Sequence, residues 1–122
     1  MRVIAQQPPL SIPADQQAAL EWLGRHTTDR DVVLSDWRFG NQLPIYAEAR
    51  VFVGHPIETI GFQEKQAAVE RFFDPSTSAT DRQVLIDRWQ ITLVVAPANR
   101  PALPERDIVF QQGELVVYRT TP

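Results

Sequence analysis

The chain contains no cysteine, which removes disulfides, thiolate metal ligands and cysteine nucleophiles from consideration. Histidine is nearly as scarce, with only His26 and His55, whereas a catalytic zinc takes about three protein ligands. The five glycines, Gly24, Gly40, Gly54, Gly61 and Gly113, are spread singly. No strand-like run is followed by a glycine-rich turn or a Gly-Lys-Ser/Thr, so the backbone cradles that hold nucleotide phosphates are missing and no cofactor is expected. The longest apolar run, Ile91–Ala96, is far short of the ~20 residues a spanning helix needs. The Lys and Arg residues are scattered through a chain of net charge −3, which leaves no electrostatic footprint for a nucleic acid.

What remains is an ordinary globular composition. With 122 residues, 43% of them hydrophobic and 22% charged, the chain is long enough for one core without staples. One α/β domain is expected over 13–122, after a lead-in over 1–12. Met1–Leu10 carries one basic residue and a three-residue apolar patch, without the apolar centre of a secretory signal. Taken with Met1 as the natural start, this predicts a cytoplasmic protein. The polar, proline-bearing stretch Gln6–Pro13 reads equally as a linker that follows something removed.

Ala18 with Trp22 and Ala19 with Leu23 recur at spacing four and predict an amphipathic helix over Pro13–His26, with Pro13 in its first turn. Val32–Leu34 reads as a strand buried on both faces. A helix is expected from about Gly40 to Ala47, Pro44 being tolerated by its closeness to the start. Arg50–Val53 is a second strand and Phe62–Phe73 a third helix, with Glu64 favouring its first turn and Lys65 read as a solvated charge. Thr80–Gln83 fits a capping box that opens a further helix. Ile91–Ala96 is the clearest strand. Asp107–Phe110 and Leu115–Tyr118 then flank a turn in which Gly113 can take a positive φ. Such alternation predicts a small Rossmann-like three-layer sandwich with a mainly parallel sheet of about five strands and a C-terminal antiparallel hairpin.

Ligands of open α/β sheets gather at the carboxyl ends of parallel strands. Three loops qualify, 35–41, 54–59 and 97–100, and they nominate Asp36, Trp37, Asn41, His55, Glu58, Thr59, Asn99 and Arg100 as a rim suited to a sugar or small anion. Each also has a structural explanation. Asp36 can form an Asx-turn beside a core Trp37, Glu58 or Thr59 can cap the following helix, and His55 can bond a neighbouring loop. Pro56 breaks the helical spacing that would align His55 and Glu58 on a metal, and Ser35 lacks the flanking glycines of a nucleophile elbow. No catalytic and no metal-binding residue is therefore assigned.

Ala19–Leu23, Gly40–Ala47, Arg50–Thr59, Glu64-Lys65 with Val69 and Phe72-Phe73, and Ile91–Pro97 with Arg100 together resemble a soluble tail of bacterial multi-pass membrane proteins. Those proteins are similar to polyprenyl-phosphate-sugar-dependent glycosyltransferases. The resemblance runs from about Ala18 to Tyr118 and departs at Gln90 and Ala96, where glycine is usual, and at Asn99, where glutamate is. It implies a non-catalytic extracytoplasmic domain whose partner is the membrane-embedded part of the same protein, with contact to glycan or acceptor. The alternative from residues alone is a free-standing cytoplasmic module for a small polar ligand such as a sugar or phosphate.

Overall fold

Successive side chains of a strand point to opposite faces of its sheet, and here both faces are apolar, so helices must cover both. The computed structural model of the chain describes residues 12–54, 61–100 and 103–120. Its elements are α1 (Ala14–His26), β1 (Val32–Leu34), α2 (Trp37–Tyr46), β2 (Arg50–Val51), α3 (Phe62–Phe73), α4 (Ala79–Trp89), β3 (Leu93–Pro97), β4 (Ile108–Gln112) and β5 (Leu115–Arg119), with a short 3-10 turn at Glu105–Asp107. They build one five-stranded sheet in the order β2-β1-β3-β5-β4. β1 runs parallel to both β2 and β3, whereas β5 runs antiparallel to β3 and β4.

Alternation sorts the core into two layers. Val33, Leu93, Val95 and Val117 pack with Leu20, Leu23, Phe39 and Leu43 of α1 and α2. Their sequence neighbours Leu34, Val94, Ala96 and Val116 pack with Val69, Phe72 and Ile86 of α3 and α4. The result is three layers, two helices on each side of the sheet. Burying a Leu, Val or Phe side chain contributes roughly 1.5–3 kcal/mol, and β3, buried at four successive positions, is where both layers meet.

Several boundaries differ from the sequence expectations, each for a local reason. Pro13 stands just outside α1 as its cap residue. α2 begins at Trp37 because the Asp36 carboxylate accepts a hydrogen bond from the Phe39 N–H at 2.9 Å. Pro44 consequently lies in the body of the helix and not near its start. α4 is capped by Ser78, whose hydroxyl accepts from the Asp81 N–H at 3.1 Å. The capping box expected at Thr80–Gln83 does not form; Gln83 donates forward to Asp87 instead. β2 ends at Val51, although the Phe52 N–H still donates to the Val33 carbonyl at 2.9 Å. Lys65, expected as a solvated charge, is half-buried with its ammonium 5.8 Å from the ring centroids of both Phe52 and Trp89. Gly113 takes φ 59 at the hairpin tip, as its place in the turn requires.

Candidate functional site

β2 and β3 flank β1 on opposite sides. The helix that follows β1 covers one face, and the two that follow β2 cover the other. That reversal is a topological switch point, which opens a crevice outside the carboxyl ends of β1 and β3. A cleft of about 330 Å³ lies there, with Ser35, Asp36, Arg38, Pro97 and Arg100 among its walls. Asp36, Phe73 and Arg100 also border a second lobe of about 320 Å³ that reaches Gln66, Glu70 and Asp74. Those three residues therefore wall both lobes.

Asp36 uses Oδ1 to cap α2, and its other oxygen makes no hydrogen bond among the described residues. Ser35 is almost wholly buried, with its hydroxyl donating to the Asp36 carbonyl at 2.8 Å. Arg38 extends from the first turn of α2 with its guanidinium 4.8 Å from the Trp37 ring centroid. Arg100 stands in the turn after β3, held by its own N–H donating to the Pro97 carbonyl at 3.0 Å. The hairpin closes the first lobe through Leu115. Its tip is fixed because the Glu114 N–H donates to the Asp15 carboxylate and the Glu114 carbonyl accepts from Ala98, at 3.0 and 2.8 Å.

In the second lobe, hydrogen bonds from the Ser76 N–H and hydroxyl hold the Asp74 carboxyl below its ordinary range, and the charges of Arg100 and Arg82 add to the effect. Gln66 donates weakly to Glu70 at 3.4 Å. Its side-chain oxygen is buried and has no hydrogen-bond partner among the described residues.

Of the residues nominated from sequence, Asp36 and Arg100 come together in the cleft. Trp37 is half-buried against the α3/α4 layer. Asn41 is exposed on α2 and Asn99 in the turn after β3, and neither is among the cleft walls. His55, Glu58 and Thr59 lie outside the described residues. Sequence reasoning overlooked Gln16, Gln66 and Phe73 as walls. A signal did exist for Phe73, because adjacent helical residues point about 100° apart and Phe72 already fills the core.

A second groove was also missed. It occupies the opposite, amino end of the parallel strands, holds about 460 Å³, and is bordered by Arg30, Arg50, Trp89, Gln90 and Thr92. Nearby, Asp31 accepts from the Thr92 hydroxyl at 2.9 Å and pairs with Arg119 at 3.5 Å, tying β1, β3 and β5 together. His26 ends α1, stacked on Trp22 and donating from Nδ1 to the Trp22 carbonyl at 2.8 Å.

Neither a protein-family model nor a curated protein matches the chain. A solved structure does. It is the crystal structure of the C-terminal globular domain of an oligosaccharyltransferase from Archaeoglobus fulgidus, similar at a TM-score of 0.59 and 21% identity. The match covers 79% of this chain and 59% of that one, so the chain spans about three fifths of the neighbour's length. The likeness is one of fold. No helix among the described residues is long and apolar enough to cross a membrane.

Proposed function

We propose that the chain is a non-catalytic, soluble domain of a membrane-bound glycosyltransferase-like protein, carried on the extracytoplasmic face and contacting glycan or acceptor through the cleft. The observation that carries this reading is the fold shared over 79% of the chain with the C-terminal globular domain of an oligosaccharyltransferase. The residue resemblance to soluble tails of bacterial multi-pass proteins points the same way and adds the polyprenyl-phosphate-sugar connection. On this reading the β2-β1-β3 order is a pared-down Rossmann-like arrangement, and the membrane-embedded part of the same protein is its partner and supplies the catalytic groups. Asp36 and Arg100 belong to the candidate rim on this reading, and His55, Glu58 and Thr59 are retained in it from the sequence pattern alone.

An antibody raised against the chain tests the proposal. The expected band runs far above 13.9 kDa, sediments with membranes after carbonate washing, and is cut by protease added to intact spheroplasts. A band of the chain's own mass in the soluble fraction overturns it. That result favours the second reading, a free-standing cytoplasmic module, which the cleft at the switch point supports and which predicts thermal stabilisation by a small sugar or phosphate.

A further inference from the structure

We infer that the first lobe, the cleft of about 330 Å³ outside the carboxyl ends of β1 and β3, takes a single sugar unit bearing one carboxylate, a uronate. This deepens the glycan contact proposed above and rests on that reading only for the origin of the sugar.

Charge selects the anion. Arg38 and Arg100 both wall this lobe and Asp36 is its one carboxylate, so the walls carry a surplus of one positive charge. Glu70 and Asp74 wall the other lobe and not this one. Neither guanidinium makes a hydrogen bond or an ion pair among the described residues. Arg38 lies against the Trp37 ring, and the charge of Arg100 reaches Asp74 only from beyond ion-pair distance. Both arginines thus keep their N–H forks for a ligand, and such a fork matches the two oxygens of a carboxylate. One carboxylate also balances the surplus, whereas a phosphate monoester brings a charge of about −1.5 to −2 and overshoots it.

The remaining walls select a hydroxyl-bearing ring. The second Asp36 oxygen makes no hydrogen bond among the described residues and can accept from a hydroxyl. Gln16 is half-buried, and its side-chain amide, also without a hydrogen-bond partner among them, both donates and accepts. Buried Phe39 with half-buried Phe73 and Leu115 supply an apolar surface for the C–H face of a pyranose. A bare inorganic anion leaves that surface and the acceptors unused, and a neutral hexose leaves the surplus charge unmet. The lobe's volume is at the small end of ligand pockets, which suits one sugar unit.

The test is an isotope-edited NMR titration of the 122-residue chain with glucuronate and galacturonate, alongside glucose, acetate, glucose 6-phosphate and inorganic phosphate. At least one uronate is expected to produce saturable shifts at Asp36, Arg38, Phe39 and Arg100, about tenfold tighter than any of the other four ligands. Raising NaCl from about 20 to 300 mM is expected to weaken the uronate severalfold and to leave glucose unchanged. Arg38→Gln and Arg100→Gln are each expected to weaken the uronate about tenfold, the loss of roughly one charge-assisted hydrogen bond. Both arginines are exposed, so the spectrum of each variant keeps its native dispersion. Glucose binding as tightly as the uronates overturns the inference, because charge then selects nothing. Acetate or inorganic phosphate binding as tightly overturns it too, leaving an adventitious anion surface only, and so does tighter binding of glucose 6-phosphate. A panel in which no uronate moves these residues at millimolar concentration, or an Arg100→Gln chain that folds and binds as before, has the same force. The ligand and salt comparisons need no variant, so an unfolded variant does not shelter the inference. Because the titration uses the chain alone, its failure leaves the antibody result untouched, and a soluble 13.9 kDa band leaves the titration untouched.

Discussion

Gln90 closes α4 in the left-handed region, with φ 55 and ψ 42, where a β-carbon is crowded and glycine is not. Helices commonly end on a glycine. Gln90→Gly is therefore expected to raise stability by about 0.5–1 kcal/mol, read as a higher urea midpoint at unchanged m-value. Asp74 gives a residue-scale prediction in pH. Its folded carboxyl is the stronger acid, so the unfolded chain takes up the proton first. The stabilisation is whole above the unfolded value near 3.9 and is lost as pH falls through the lower folded value. A stability profile below about pH 4 is expected to slope less in Asp74→Asn than in the unmodified chain. Little of this was readable in advance, because a side chain's partners depend on which turn folds beside it. Ser76 is two residues from Asp74, but Arg100 arrives from another loop.

α2 shows why element ends are harder to read than element bodies. Phe39 and Leu43 mark its apolar face in the sequence, yet its start depends on whether the Asp36 side chain turns back to Phe39, a choice that propensity does not dictate. Pro44 argued for a late-starting helix, but the proline is exposed in the body of the observed one, where it leaves the Gly40 carbonyl without its helical donor. Gly40 has a packing reason to be glycine, since a β-carbon there would sit 2.1 Å from the Val53 carbonyl oxygen. Gly40→Ala must push α2 away from the exit of β2, and about 2–3 kcal/mol of lost stability is expected in chemical denaturation. An unchanged midpoint would show that the strand exit yields freely. α3 is the opposite case: Val69 and Phe72 recur on one face, Asp74-Pro75 stops the helix, and its span matches the expectation.

Across the whole molecule, β3 lies at the centre of the sheet and contributes Leu93 and Val95 to one layer and Val94 and Ala96 to the other. Native-state hydrogen exchange is expected to find the amides of Val94, Val95 and Ala96 opening only with global unfolding, and those of the edge strand β4, with its exposed Val109 and irregular register, opening at lower cost. Equal protection in the two strands would contradict the sheet order. The α/β class, the three-layer expectation and the hairpin were all legible beforehand, because apolar periodicity of 3.6 or 2 and a turn glycine are properties of short chain segments. The candidate site was legible in part. Parallel strands put their exits at one end, which brought Asp36 and Arg100 together, but Phe73, Gln66 and Gln16 come from helices whose approach no local pattern encodes. Segment chemistry alone determined which stretches became helix, strand and turn, since each such choice is settled within a few residues. Strand order, the switch point beside β1 and the approach of Gln66 and Phe73 to the loops were decided only on folding, because periodicity says that a face is apolar and never which other face will cover it.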